Sequence, residues 1–112
     1  MMFNLTPHVL EEMVDTIVHE VDPEQVYLFG SCVRGGVDAD SDIDFLIVER
    51  EDFGPDRSRW QELQRVRRSL ARFRLPKDIV VYSLKEVEKW KNSLNHIVAH
   101  ALREGRLVYE RP

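Results

Sequence analysis

Asp42 and Asp44 stand at the head of one apolar run, Ile43 to Val48, and Gly30-Ser31 closes another, Val26-Tyr27-Leu28-Phe29. Both runs are short and bounded by turn residues, so they read as two strands joined by a glycine-rich, acidic loop. In an extended chain residues i and i+2 share a face. Asp42 and Asp44 therefore point one way, and Ile43, Phe45 and Ile47 the other. Two carboxylates side by side repel each other and resist desolvation unless a partner neutralises them. A hard divalent cation such as magnesium, which takes carboxylate oxygens, is the natural partner. Gly30 and Ser31 offer what a metal-bound phosphate also needs: close backbone approach, N–H donors and a hydroxyl. Metal ligands beside a phosphate cradle predict nucleotide chemistry.

Two other phosphate-binding patterns fail at this stretch. A dinucleotide fingerprint needs a glycine where Cys32 stands, and a P-loop needs Gly-Lys-Ser/Thr where Gly35-Gly36-Val37 stands. Composition narrows the class further. At 112 residues the chain is expected to form one domain, 1–112, with 43% hydrophobic and 32% charged residues typical of a soluble globular protein. A net charge of -4 argues against the basic footprint of a direct nucleic-acid binder. No apolar run reaches the roughly 20 residues that span a bilayer, and no signal peptide is recognised, so a cytoplasmic protein is expected. One cysteine, Cys32, excludes an intramolecular disulfide and a cysteine-rich zinc site.

The elements that must position the acids follow in order. Thr6-Pro7 opens a helix whose apolar stripe runs from Val9 to Val21, and Asp22-Pro23 ends it. After the two strands comes a charged loop from Glu49 to Pro55, with Glu49, Glu51 and Asp52 expected in solvent. A second helix is expected from about Asp56 to Leu75, burying Trp60, Leu63, Val66, Leu70 and Phe73. Its other face carries many arginines, which read first as a solvated face and second as a docking or nucleotide-steering surface. Pro76 stops that helix, and Lys77 to Tyr82 forms a third strand. Asp78 opens it as an acid ahead of an apolar run, repeating the logic of Asp42 and Asp44. Alone it reads as a strand-edge surface acid; in their company it reads as a third carboxylate.

Ser83-Leu84-Lys85-Glu86 is a capping box opening a short helix with Leu84, Val87 and Trp90 inward. Ser93 is expected to cap the last helix, with Leu94, Ile97, Val98, Ala101 and Leu102 inward and Gly105 just past its end. His96 and His100 share a helix face at a spacing that can bind zinc. They lack the glutamate of a His-Glu-x-x-His site and read as surface or interface histidines. Arg106 to Glu110 is a short strand or extended tail. The order predicts an α+β domain, a small mixed β-sheet packed on one side by helices with its acid face open.

Gly30-Ser31, ten residues, then Asp42-Ile43-Asp44 resembles the Gly-Ser-x10-Asp-x-Asp signature of the DNA polymerase β-like nucleotidyltransferases. Arg34-Gly35 and Ser41 resemble the minimal nucleotidyltransferases (MNT antitoxins) in particular, and the similarity in length and element order runs along nearly the whole chain. The resemblance implies a polymerase β-like fold and transfer of AMP from ATP. Asp42, Asp44 and Asp78 would be the catalytic acids holding two magnesium ions (Mg2+), with Asp78 also deprotonating or orienting the acceptor. Gly30 and Ser31 would hold the β- and γ-phosphates. Arg34 either neutralises a phosphate or pairs with Asp38 or Asp40. The acceptor implied is a tyrosine of a HEPN-family toxin, with this chain as antitoxin of a type VII toxin–antitoxin pair. Two alternatives stand beside it: an antitoxin acting by binding alone, and an adenylyltransferase for a small molecule such as an aminoglycoside.

Overall fold

The computed structural model describes residues 6–30 and 43–112, so Ser31, Arg34 and Asp42 lie outside the described residues. Helix α1 (Pro7–Val21) begins as its sequence requires, with the Thr6 hydroxyl accepting from the Val9 N–H at 3.1 Å and Pro7 in the first turn. It ends at Asp22, whose φ of 47° is left-handed. Strand β1 (Gln25–Phe29) then pairs antiparallel with β2 (Ile43–Glu49). Helix α2 (Arg59–Ser69) makes the crossover to β3 (Lys77–Ser83), which lies parallel to β2. Helices α3 (Leu84–Trp90) and α4 (Ile97–Glu104) follow, and β4 (Arg106–Glu110) returns antiparallel to β1. The sheet order is β3-β2-β1-β4. This is the expected α+β architecture, a small mixed sheet packed by helices. The terminal segment proves to be a strand. None of the described helices is long and apolar enough to cross a membrane.

The packing differs from expectation in one respect that matters for the site. Helices cover both faces of the sheet, not one. On the first face Val26, Leu28, Ile43, Phe45, Ile47, Ile79 and Val81 bury against Met13 and Ile17 of α1 and Val66 of α2, with Leu70 just past its end. On the second, Leu46 and Val48 bury against Val87 of α3 and Val98 and Ala101 of α4. Strand β2 is central and reads as a near-continuous apolar run because both its faces are covered. Asp44 is its only residue that is not buried, because among the described residues the helices on the acid-bearing face pack over the later part of the strand.

Other departures are local and have local causes. The second helix is shorter than expected. Gly54 and Arg57 close a tight turn through reciprocal backbone hydrogen bonds of 3.0 and 3.1 Å, and Ser58 caps the helix by accepting from the Gln61 N–H. Trp60 thereby falls in the first turn on the outer side and is 68% exposed instead of buried. The final helix is capped by His96, not Ser93; its Nδ1 accepts from the Val98 N–H at 3.1 Å while the ring stacks on Trp90 at 4.4 Å. Leu94 is left outside the helix and exposed, and Leu84 also points outward. His96 and His100 therefore do not stand together on one helix face.

Glu49 reverses its expectation most fully. It is 3% exposed, because the turn at Gly54 brings Arg57 back over it and Glu62 of α2 closes the other side. Arg57 also lies on the Phe53 ring, 4.3 Å from its centroid, which seals the cluster. The Glu49 Oε2 has no hydrogen-bond partner among the described residues. Burial, and then the Glu62 carboxylate, push the Glu49 acid up to about 8 against the opposing pull of Arg57.

Candidate active site

Strand register brings the described acids together. In the parallel β2–β3 ladder Asp44 pairs with Asp78, and in the antiparallel β1–β2 ladder Phe29 pairs with Asp44. Directly paired residues of neighbouring strands lie about 5 Å apart and project from the same face. The later pairs on that face, Leu46 with Val80 and Val48 with Tyr82, run under α3 and α4. The acids occupy the end of the same row, with Asp44 half-buried and Asp78 exposed. Sequence parity gives each acid a face; only the register shows that the two faces coincide.

Gly30 follows directly on the Phe29–Asp44 pair. Its φ of +88° lies in the region that disfavours side chains, and a Cβ built there would fall 2.0 Å from Asp44 Oδ2. The Asp44 carboxylate thus occupies the space that any other residue's Cβ would need. A carboxylate packed on the Gly30 backbone, with a second acid in register across the ladder, puts two hard-oxygen donors on one face. That chemistry fits a divalent cation shared with a phosphate. Among the described residues no three acidic, histidine or cysteine side chains gather as a metal site. Asp42, the other acid of the pair expected with Asp44, is outside them, as are Ser31 and Arg34.

Two residues near the site carry roles that sequence reading did not assign. The Lys77 ammonium donates to the carbonyls of Phe73 and Leu75 at 2.6 and 3.2 Å, just before Asp78. Burial lowers its pKa below that of a free lysine. Gly105 ends α4 with extended backbone, and its function is close approach rather than a left-handed cap. A Cβ there would meet Ala101 O at 2.4 Å and Leu28 O at 2.8 Å. The helix end can therefore seat on β1 just ahead of Gly30. Both neighbours are backbone atoms that cannot swing aside. Gly105→Ala is expected to cost about 1–3 kcal/mol, read as a lower urea midpoint at unchanged slope.

The arginine-rich helix is partly structural. Arg57 pairs with Glu49 and Glu62, Arg59 with Glu86 and the Val81 carbonyl, and Arg65 with Glu20. Arg72 donates to the Thr16 hydroxyl. Most of these contacts tie α2 to its neighbours, which weakens the reading of the whole face as a docking surface.

Comparison with known proteins agrees with this fold. The polymerase β nucleotidyltransferase family model matches residues 11–112. Among solved structures the chain is similar to a candidate nucleotidyltransferase from Sulfolobus solfataricus, at 24% identity and a TM-score of 0.61, covering 91% of this chain and 78% of that one. It is also similar to a toxin–antitoxin complex with AMP-PNP, at 19% identity and TM-score 0.54, covering 90% and 73%. A third likeness is to the tri-AMPylated Shewanella oneidensis HEPN toxin in complex with MNT antitoxin, at 16% identity and TM-score 0.50, covering 90% and 69%. No curated protein matches.

Proposed function

Because the chain belongs to the polymerase β nucleotidyltransferase family, we propose that it transfers AMP from ATP to a tyrosine hydroxyl of a HEPN-family toxin, as the antitoxin of a type VII toxin–antitoxin pair. The observation that carries this reading is the in-register pairing of Asp44 with Asp78 beside a glycine whose Cβ position the Asp44 carboxylate fills. The solved complexes sharing this fold support the choice of partner, one of them holding an AMPylated HEPN toxin. We assign Asp42, Asp44 and Asp78 as the acids that would hold two magnesium ions. When bound, such ions would offset triphosphate charge and stabilise the departing pyrophosphate.

This chain's own residues do the rest. The Gly30 and Ser31 backbone donors orient the β- and γ-phosphates, and Arg34 adds a positive charge beside them. Asp78, more exposed than Asp44, accepts the tyrosine proton as the hydroxyl oxygen bonds to the α-phosphorus. The bond from that phosphorus to the bridging oxygen breaks, and pyrophosphate leaves with the electron pair. The 1–112 chain acts here as one domain in the cytoplasm, with no direct contact to nucleic acid.

The test is intact-mass spectrometry of the HEPN-type partner after incubation with this protein, ATP and magnesium. One or more AMP masses are expected on the partner, and none with Asp44→Asn. Silencing of the toxin by Asp44→Asn without any mass gain would overturn transfer in favour of an antitoxin that acts by binding. AMP appearing on an aminoglycoside but never on the partner would instead favour the small-molecule enzyme.

A further inference from the structure

We propose that Lys77 is a positioning residue for the acid pair, its ammonium setting where β3 begins and so keeping Asp78 opposite Asp44. The inference rests on the metal-binding reading of those acids above. Helix α2 ends at Ser69, and the chain from Leu70 to Pro76 must enter the sheet at one defined residue. Two contacts fix that residue. The Ile43 N–H donates to the Pro76 carbonyl at 2.9 Å, joining the start of β2 to the last residue before β3. Lys77, the partner of Ile43 in the ladder, turns back to hold Phe73 O at 2.6 Å and Leu75 O at 3.2 Å.

An ammonium with three rotatable donors suits this task, since it can serve two carbonyls at once. Lys77 shares the strand face of Ile79 and Val81, so its side chain lies on the opposite side of the sheet from Asp78. It does not touch the acids and acts through the backbone. Register is what it protects: a one-residue slip of β3 would turn Asp78 toward the buried face, away from Asp44.

The experiment compares Mn2+ binding, followed by electron paramagnetic resonance without nucleotide, in the parent, Lys77→Met and Lys77→Gln. Hydrogen exchange of the Ile43 amide is measured on the same samples. Lys77→Met keeps the apolar stem and drops the donors. It is expected to weaken Mn2+ binding by roughly 10–100-fold, as loss of outer-shell support does, and to speed exchange at Ile43. Lys77→Gln, which keeps a donor, should fall between. Val66→Ala, a core truncation where α2 packs on the sheet, serves as a destabilised control expected to bind Mn2+ as the parent does. Parent-like Mn2+ affinity in Lys77→Met overturns the proposal; if that variant does not fold, parent-like affinity and Ile43 exchange in Lys77→Gln overturn it equally. A parent that binds no Mn2+ would instead sink the metal reading itself, and unchanged Ile43 exchange would then sink the positioning role separately.

Discussion

Gly30→Ala should abolish nucleotidyl transfer about as completely as Asp44→Asn, although it removes no functional group. The added methyl would sit 2.0 Å from Asp44 Oδ2, well inside any contact distance, and the φ of +88° gives it no unstrained alternative. Either the carboxylate swings off its position or the backbone at Gly30 shifts, and both disturb the phosphate cradle proposed for Gly30 and Ser31. A displacement near 1 Å in such a site can cost about 100-fold in rate. Strain at a left-handed position adds about 1–3 kcal/mol of instability. The measurement is partner AMPylation by mass spectrometry under single-turnover conditions, with urea denaturation alongside. A folded Gly30→Ala protein retaining more than a tenth of parental activity would show that the Gly30–Asp44 contact is not part of the working site. Gly105→Ala is the useful contrast, because its clash lies against Ala101 O and Leu28 O and should cost stability more than rate.

The parts of this site that are local in the chain were the parts legible in the sequence. Strand alternation assigns Asp44 to a face, and the spacing from Gly30-Ser31 to the aspartates carries the resemblance to the polymerase β-like nucleotidyltransferases, the family whose model matches the chain. The capping box from Ser83 to Glu86 appears as read, each side chain meeting the other's backbone N–H. What escaped depends on chain reversal. Arg57 reaches Glu49 only because of the Gly54 turn, so an acid that looks like loop surface becomes buried. Trp60 looks like core under a helix begun at Asp56 and faces outward once Ser58 is the cap. His96 looks like a mid-helix residue, yet its ring, lodged against Trp90 and Tyr82, supplies the cap that Ser93 was expected to give. Helices α3 and α4 are too short for periodicity to announce that they roof the second sheet face. The pairing of Asp44 with Asp78 belongs to the same class, since a parallel register is set by the crossover and the turn that ends it.

The buried Glu49 makes stability fall as pH rises, in the opposite sense to an ordinary paired carboxylate. In the unfolded chain this acid loses its proton near 4.5, whereas in the folded protein it keeps it to about 8. The folded state therefore binds the extra proton between those values. The stability this gives is complete below the lower value, declines through the interval, and is gone once pH passes the upper one. Ionised, Glu49 would share Arg57 with Glu62 in a site closed to water, while Glu51, Arg65 and Glu20 extend the charge chain outward. One guanidinium cannot offset two carboxylates there. Glu49→Gln keeps the shape and an acceptor for Arg57 while removing the ionisation, and a buried charge relieved in this way is worth about 1–3 kcal/mol. The variant should match the parent near pH 5 and exceed it by that margin at pH 9, measured by urea denaturation across the range. A parent and variant whose stabilities stay parallel from pH 5 to pH 9 would mean that Glu49 is already ionised in the fold and that Arg57 alone compensates it.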